Sequence, residues 1–193
     1  PHLSDLSERF VIDDGPVESA ALEDVVEDVL QCADELQRTG VLSVPPTFFE
    51  ATTAAAFELF RRARVEMAVV EVGLGGRFDA TNVIAPIAGA ITTIDFDHQQ
   101  HLGHSLDAIA FEKAGIIKNG MTIVSGDLPP EADAVIRRVA SERGARLIEA
   151  VHDARCEAEL VDGRARVTME TPHGTYGPVT VGLRGEHQVA NAL

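Results

Sequence analysis

At 193 residues, 45% of them hydrophobic, the chain is long enough to bury a core of its own. Its 31 acidic side chains against 16 Lys and Arg leave a formal net charge of −15, which argues against nucleic acid, because neutralising phosphates needs clustered cations. No apolar run reaches the roughly 18 residues of a membrane span, whereas phosphorylated small molecules, which backbone amides and metal ions can hold, are not excluded.

In chain order, Glu8 to Ile12 is a short strand-like run ending in the turn signal Asp13-Asp14-Gly15-Pro16. A helix is predicted from about Ser19 to Arg38, with Leu22, Val25, Val26, Val29 and Leu30 on one face, acids on the other, and Gly40 as its stop. Pro45-Pro46 breaks the chain. Thr47-Phe48-Phe49-Glu50 restarts it as a capping box, opening a helix to about Arg64 whose alanines suit close approach to a sheet.

Met67 to Val72 reads as a strand buried on both faces, with Glu71 near its end and the glycine-rich turn Gly73 to Gly76 behind it. A carboxylate there sits where open α/β sheets bind ligands; the alternative is a solvated acid, or a cap for a neighbouring helix. Ile87 to Asp95 is a second buried strand, followed by Asp97-His98. Ser105 can cap a helix from Leu106 to Ala114, stopped by Gly115. Met121 to Val124, Ala132 to Arg143 and Arg146 to Glu149 then read as strand, helix and strand, so residues 1–150 predict a parallel sheet with right-handed crossovers. Residues 151–186 alternate apolar and polar, with turns at Asp162-Gly163 and His173-Gly174, and predict a small antiparallel sheet; 187–193 open a helix. The fold class is therefore α/β, a mostly parallel sheet flanked by helices with an appended antiparallel β region.

Cys32 and Cys156 stand far apart in no metal-ligand spacing, which favours a reducing compartment and so the cytoplasm. The chain begins at Pro1 with no signal sequence and stops at Asn191-Ala192-Leu193, inside the predicted helix, so both ends read as cuts through a longer protein.

Glu71, His98 and Lys113 fall at the ends of consecutive elements, where a parallel sheet would bring them to one rim. Each has a plainer reading: a helix cap, one of three loop histidines with His101 and His104, and a solvated helix lysine. The combination Glu71-Val72-Gly73-Leu74-Gly75-Gly76-Arg77-Phe78-Asp79-Ala80-Thr81-Asn82, then Asp97-His98 with Leu102-Gly103, then Glu112-Lys113-Ala114-Gly115-Ile116-Ile117-Lys118, closely resembles the folylpolyglutamate synthase/dihydrofolate synthase family, ATP-dependent amide ligases related to the murein peptide ligases. Pro1-His2-Leu3, Glu8-Arg9, Phe49-Glu50 and His187-Gln188 with Asn191 look like that family's segments too. The resemblance implies a partial central ATP-binding domain over residues 1–193.

It further implies that Glu71 and His98 are magnesium ligands and that Lys113 is carbamylated, turning a repelling ammonium into an anionic oxygen donor. A histidine is an unusual partner for so hard a cation. Thr47, Phe48, Phe49 and Glu50, with Phe78, Asp79 and Ala80, match the segments that hold a pteroate, and Asn191 matches a residue near the ATP adenine. The implied partners are ATP, Mg2+, L-glutamate and dihydropteroate or reduced folates, with no nucleic acid or membrane, and a monomeric state. The implied reaction forms an acyl phosphate that the glutamate amine attacks.

The family's phosphate loop ends in Gly-Lys-Ser/Thr. The chain's two lysines, Lys113 and Lys118, follow Glu112 and Ile117, so no such loop lies within it. That loop is expected upstream of Pro1 and a glutamate-side domain beyond Leu193, with residues 1–193 inactive alone. Rival expectations are a murein-ligase-like enzyme acting on another acid and a non-catalytic binding module.

Overall fold

The computed structural model describes residues 4–185 and 188–189. These fall into two compact units, one of residues up to Leu74 together with Asp79–Val83, the other of Gly75–Phe78 and residues from Ile84 onward.

The first unit is built around two helices, α1 (Ser19–Arg38) and α2 (Phe48–Ala63), preceded by a 3-10 turn at Leu6–Arg9 and a two-residue hairpin, β1 (Val11–Ile12) and β2 (Gly15–Pro16). The 3,4-spaced apolar residues of α1 put Leu22 and Val25 inside, and Leu59 and Ala55 of α2 meet them around Phe10, 2% exposed. Within the first unit the small-residue face of α2 packs on α1, and Leu30 stands half exposed. Arg62 ties the pair on the outside, reaching Asp24 and Asp28 of α1 and, at 2.8 Å, Glu58 of its own helix.

Met67 to Val72 forms no strand: the segment has no ladder partner among the described residues, with Met67 76% and Val69 96% exposed. The correction has a simple cause. Apolar, β-branched composition makes a segment fit for a sheet, but only a neighbour's backbone makes it a strand.

In the second unit the parallel sheet is present, three strands in the order β3 (Ala88–Ile91), β4 (Thr122–Ser125), β5 (Arg146–Glu149). Ile91 stands opposite Ser125 and Ser125 opposite Glu149, so all three end level. The second predicted strand is shorter than expected, ending at Ile91. Between β3 and β4 come a short helix, α3 (Gln99–Leu102), and α4 (Leu106–Ala114); α5 (Pro130–Glu142) joins β4 to β5. Ile109 and Ala110 of α4, Ile123 of β4 and Ile136 of α5 share one core and are each fully buried. Each of the three isoleucines contributes roughly 1.5–3 kcal/mol by leaving water. Ser105 occupies the N-cap position of α4 without a capping hydrogen bond; its hydroxyl turns to Asp107 and lowers that carboxyl below its ordinary range.

After a short helix, α6 (Ala150–Asp153), the antiparallel part follows as β6 (Arg155–Val161), β7 (Arg164–Thr171) and β8 (Gly174–Arg184), β7 central, with turns at the two Gly positions read from the sequence. No helix among the described residues is long and apolar enough to cross a membrane.

Candidate active site

In the first unit three of the candidate residues, Phe49, Glu71 and Asp79, line a cavity of about 660 Å³. Its walls include Arg9 and Phe10, the aromatic residues Phe49, Phe57 and Phe60, and the segment from Val69 to Leu74, with Glu8, Glu71 and Asp79 as acids. Phe49 lies within the capping box Thr47–Glu50 that opens α2. Thr47 donates its amide and its hydroxyl to Glu50 Oε2, each at 2.7 Å, and the Glu50 amide donates to Thr47 Oγ1 at 3.3 Å. The Thr47 amide and hydroxyl hold the Glu50 carboxyl below its usual range. Phe48 is exposed, with the Arg9 guanidinium 5.9 Å from its ring centre. Phe49 turns inward onto Gly73, where a Cβ would stand 2.8 Å from Cε1 of the ring, so any larger residue there would have to push the ring aside.

Asp79 is the staple of this turn. Its Oδ2 accepts from the amides of Gly73 at 3.0 Å and Leu74 at 2.9 Å, and its Oδ1 from the amide and hydroxyl of Thr81 at 2.9 and 2.5 Å. Four donors shape the loop, and this is a structural role that the resemblance did not supply. Its signal was in the sequence, since an Asp with Thr two residues on is an Asx-turn pattern. Ala80 follows in a 3-10 turn, Ala80–Val83. Glu71 is exposed on the cavity wall.

The second unit carries His98, Lys113 and Phe78. His98 opens α3 with φ +47, in the left-handed region, exposed, its Nε2 3.5 Å from Asp97 Oδ2. His101 and His104 are exposed as well. Lys113 lies half-buried in the last turn of α4. The turn Gly75–Phe78 is pressed against that same helix end. The Arg77 amide donates to the Glu112 carbonyl at 2.9 Å, and Arg77 Nη1 reaches Glu112 Oε1 at 3.3 Å. A Cβ on Gly76 would stand 2.9 Å from the Lys113 carbonyl oxygen, and one on Gly115 would land 2.7 Å from the Arg77 nitrogen. The Arg77 guanidinium stacks 4.4 Å from the centre of the Phe78 ring and 5.2 Å from that of Phe111. The sequence reading missed Arg77, although a lone cation between a glycine pair and an aromatic was the clue.

Thus Thr47, Phe49, Glu50, Glu71 and Asp79 gather in one unit, and Phe78 shares the other with Lys113 and His98. Asn191 lies outside the described residues. No group of three His, Cys, Asp or Glu side chains fit to hold a metal occurs among the described residues. One carboxylate and one imidazole are a thin donor set for Mg2+, which takes oxygens and commonly completes its shell with water and substrate phosphates. Lys113 fits such a shell only as a carbamate.

A three-stranded parallel sheet packed with helices, with an antiparallel three-stranded sheet after it, defines a mixed α/β architecture. The chain belongs to the Mur ligase middle domain family, which it matches over residues 33–193. It is similar to folylpolyglutamate synthase of Lacticaseibacillus casei, 37% identical over 99% of this chain and 45% of that protein. It is similar also to dihydrofolate synthase/folylpolyglutamate synthase of Bacillus subtilis (strain 168), 36% identical over 100% of this chain and 45% of that one. A solved complex of folylpolyglutamate synthase with AMPPCP and folate superposes with a TM-score of 0.92 at 36% identity, over 100% of this chain and 48% of that chain. The chain spans about half the length of the curated relatives it matches.

Proposed function

We propose that this chain is the central part of an ATP-dependent ligase that adds L-glutamate to dihydropteroate, to folylpolyglutamate, or to both. The observation that carries the reading is its end-to-end likeness, at 36% identity, to a folylpolyglutamate synthase structure holding a nucleotide analogue and folate. In this reading ATP phosphorylates the substrate carboxylate, the glutamate amine attacks the acyl phosphate, and phosphate leaves. Mg2+, when bound, neutralises charge on the phosphates.

Glu71, His98 and a carbamylated Lys113 would hold that metal, and Asn191 would lie near the adenine. Phe78 offers an exposed ring to a flat pterin, while Glu50, kept ionised by Thr47, offers an acceptor to its amino-pyrimidine edge. Thr47, Phe48, Phe49, Asp79 and Ala80 complete the pteroate segments. The protein works as a cytoplasmic monomer, and residues 1–193 alone neither hydrolyse ATP nor ligate, for want of the phosphate loop.

The test is glutamate addition to dihydropteroate by the intact protein. Lys113→Ala lowers the rate by about 100-fold, and short carboxylates restore part of it by returning an anionic oxygen. Rescue by alkylamines and not by carboxylates would overturn the carbamate. A murein-type precursor accepted in place of dihydropteroate would overturn the substrate class.

A further inference from the structure

Arg77 has been given no role by the likeness, yet the second unit's site turns on it. We propose that Arg77 is a positioning residue, whose guanidinium ties the Phe78 ring to the Glu112–Lys113 turn of α4 and so fixes the direction of both the aromatic surface and the amine. This rests on the roles given to Phe78 and Lys113 under the proposed function.

Two sets of contacts converge there. The backbone contact comes first: the Arg77 amide donates to the Glu112 carbonyl at 2.9 Å, and neither Gly76 nor Gly115 has room for a Cβ at this approach. The guanidinium then pairs with Glu112 at 3.3 Å while lying between two rings, 4.4 Å from Phe78 and 5.2 Å from Phe111. With Arg77 43% and Glu112 23% exposed along their side chains, the ion pair by itself is weak. Its value lies in geometry. A flat, delocalised cation can stack on rings while its edge engages a carboxylate, which an ammonium on a flexible stem cannot do. Phe78, 80% exposed, has one face held by Arg77 and the other open to a ligand. Without that hold, an exposed ring on a glycine turn would sample several rotamers, and binding would have to select one.

The experiment compares Arg77→Ala, Arg77→Lys and Glu112→Gln with wild type in the intact ligase. Arg77→Ala raises KM for dihydropteroate about tenfold and lowers kcat about tenfold, with KM for L-glutamate within about twofold. Arg77→Lys recovers kcat through the ion pair but leaves KM for dihydropteroate raised. Glu112→Gln lowers kcat with KM near wild type. Unchanged kcat and KM in Arg77→Ala overturn the proposal, as does full rescue by lysine or an equal rise in KM for every substrate. Should the wild type turn over no pterin acid, the proposed function fails, and competitive acetylation of Lys113 decides the positioning role. A rate changed by about threefold or more in Arg77→Ala supports it, and an unchanged rate overturns it.

Discussion

At Gly115 a single hydrogen in place of a methyl decides whether two chain segments can meet. A Cβ there would press on the Arg77 backbone, 2.7 Å from its nitrogen, and α4 cannot retreat because Ala114 and Ile117 beside it are buried. Gly115→Ala is expected to destabilise by about 1–3 kcal/mol, the range for an overpacked site, measured by urea denaturation. Asp79→Asn makes a second residue-scale case: with one oxygen exchanged for a donor, it can no longer accept from Gly73, Leu74 and Thr81 together. The loop should loosen, read as faster amide exchange at Gly73 and Leu74. The Asp79 carboxylate already accepts from four donors, about its full complement of lone-pair sites, so a pteroate role for it would run through the loop it shapes and not through a free acceptor.

Elements bound by local rules were legible in the sequence. The bounds of α1 came from a 3,4 spacing and a glycine stop, and the capping box of α2 from four consecutive residues; both match the structure. Met67 to Val72 was misread because strand formation depends on a partner elsewhere, and Arg77 was missed because a clamp between positions 77 and 112 leaves no periodic trace. The α1–α2 pair also carries a pH dependence. Arg61 and Arg62 hold the Glu58 carboxyl at about 2, below its ordinary 4.5. Because the folded state favours the ionised form, its contribution is complete above about 4.5 and is lost as pH falls from there through about 2. Glu50, lowered by Thr47, has the same sign. Glu58→Gln should therefore flatten the acid limb of helix unfolding followed by circular dichroism, leaving stability above pH 5 less changed in slope. Thr47→Ala, by contrast, is expected to cost about 1 kcal/mol through the lost cap.

Among the described residues, two hydrophobic cores have no residue in common, one around Phe10, Val25 and Leu59 and one around Ile109, Ile123 and Ile136. Ile136→Ala should cost about 2–5 kcal/mol, seen as weakened hydrogen-exchange protection in β4. In the Met67 to Val72 segment, by contrast, Met67 and Val69 face water, and its backbone pairs with no strand among the described residues. An unpaired segment with exposed apolar side chains of this kind is a template on which another chain can pair. Concentrated solutions of residues 1–193 should therefore turn cloudy over time, and a single lysine at Val69 should keep them clear in a light-scattering trace.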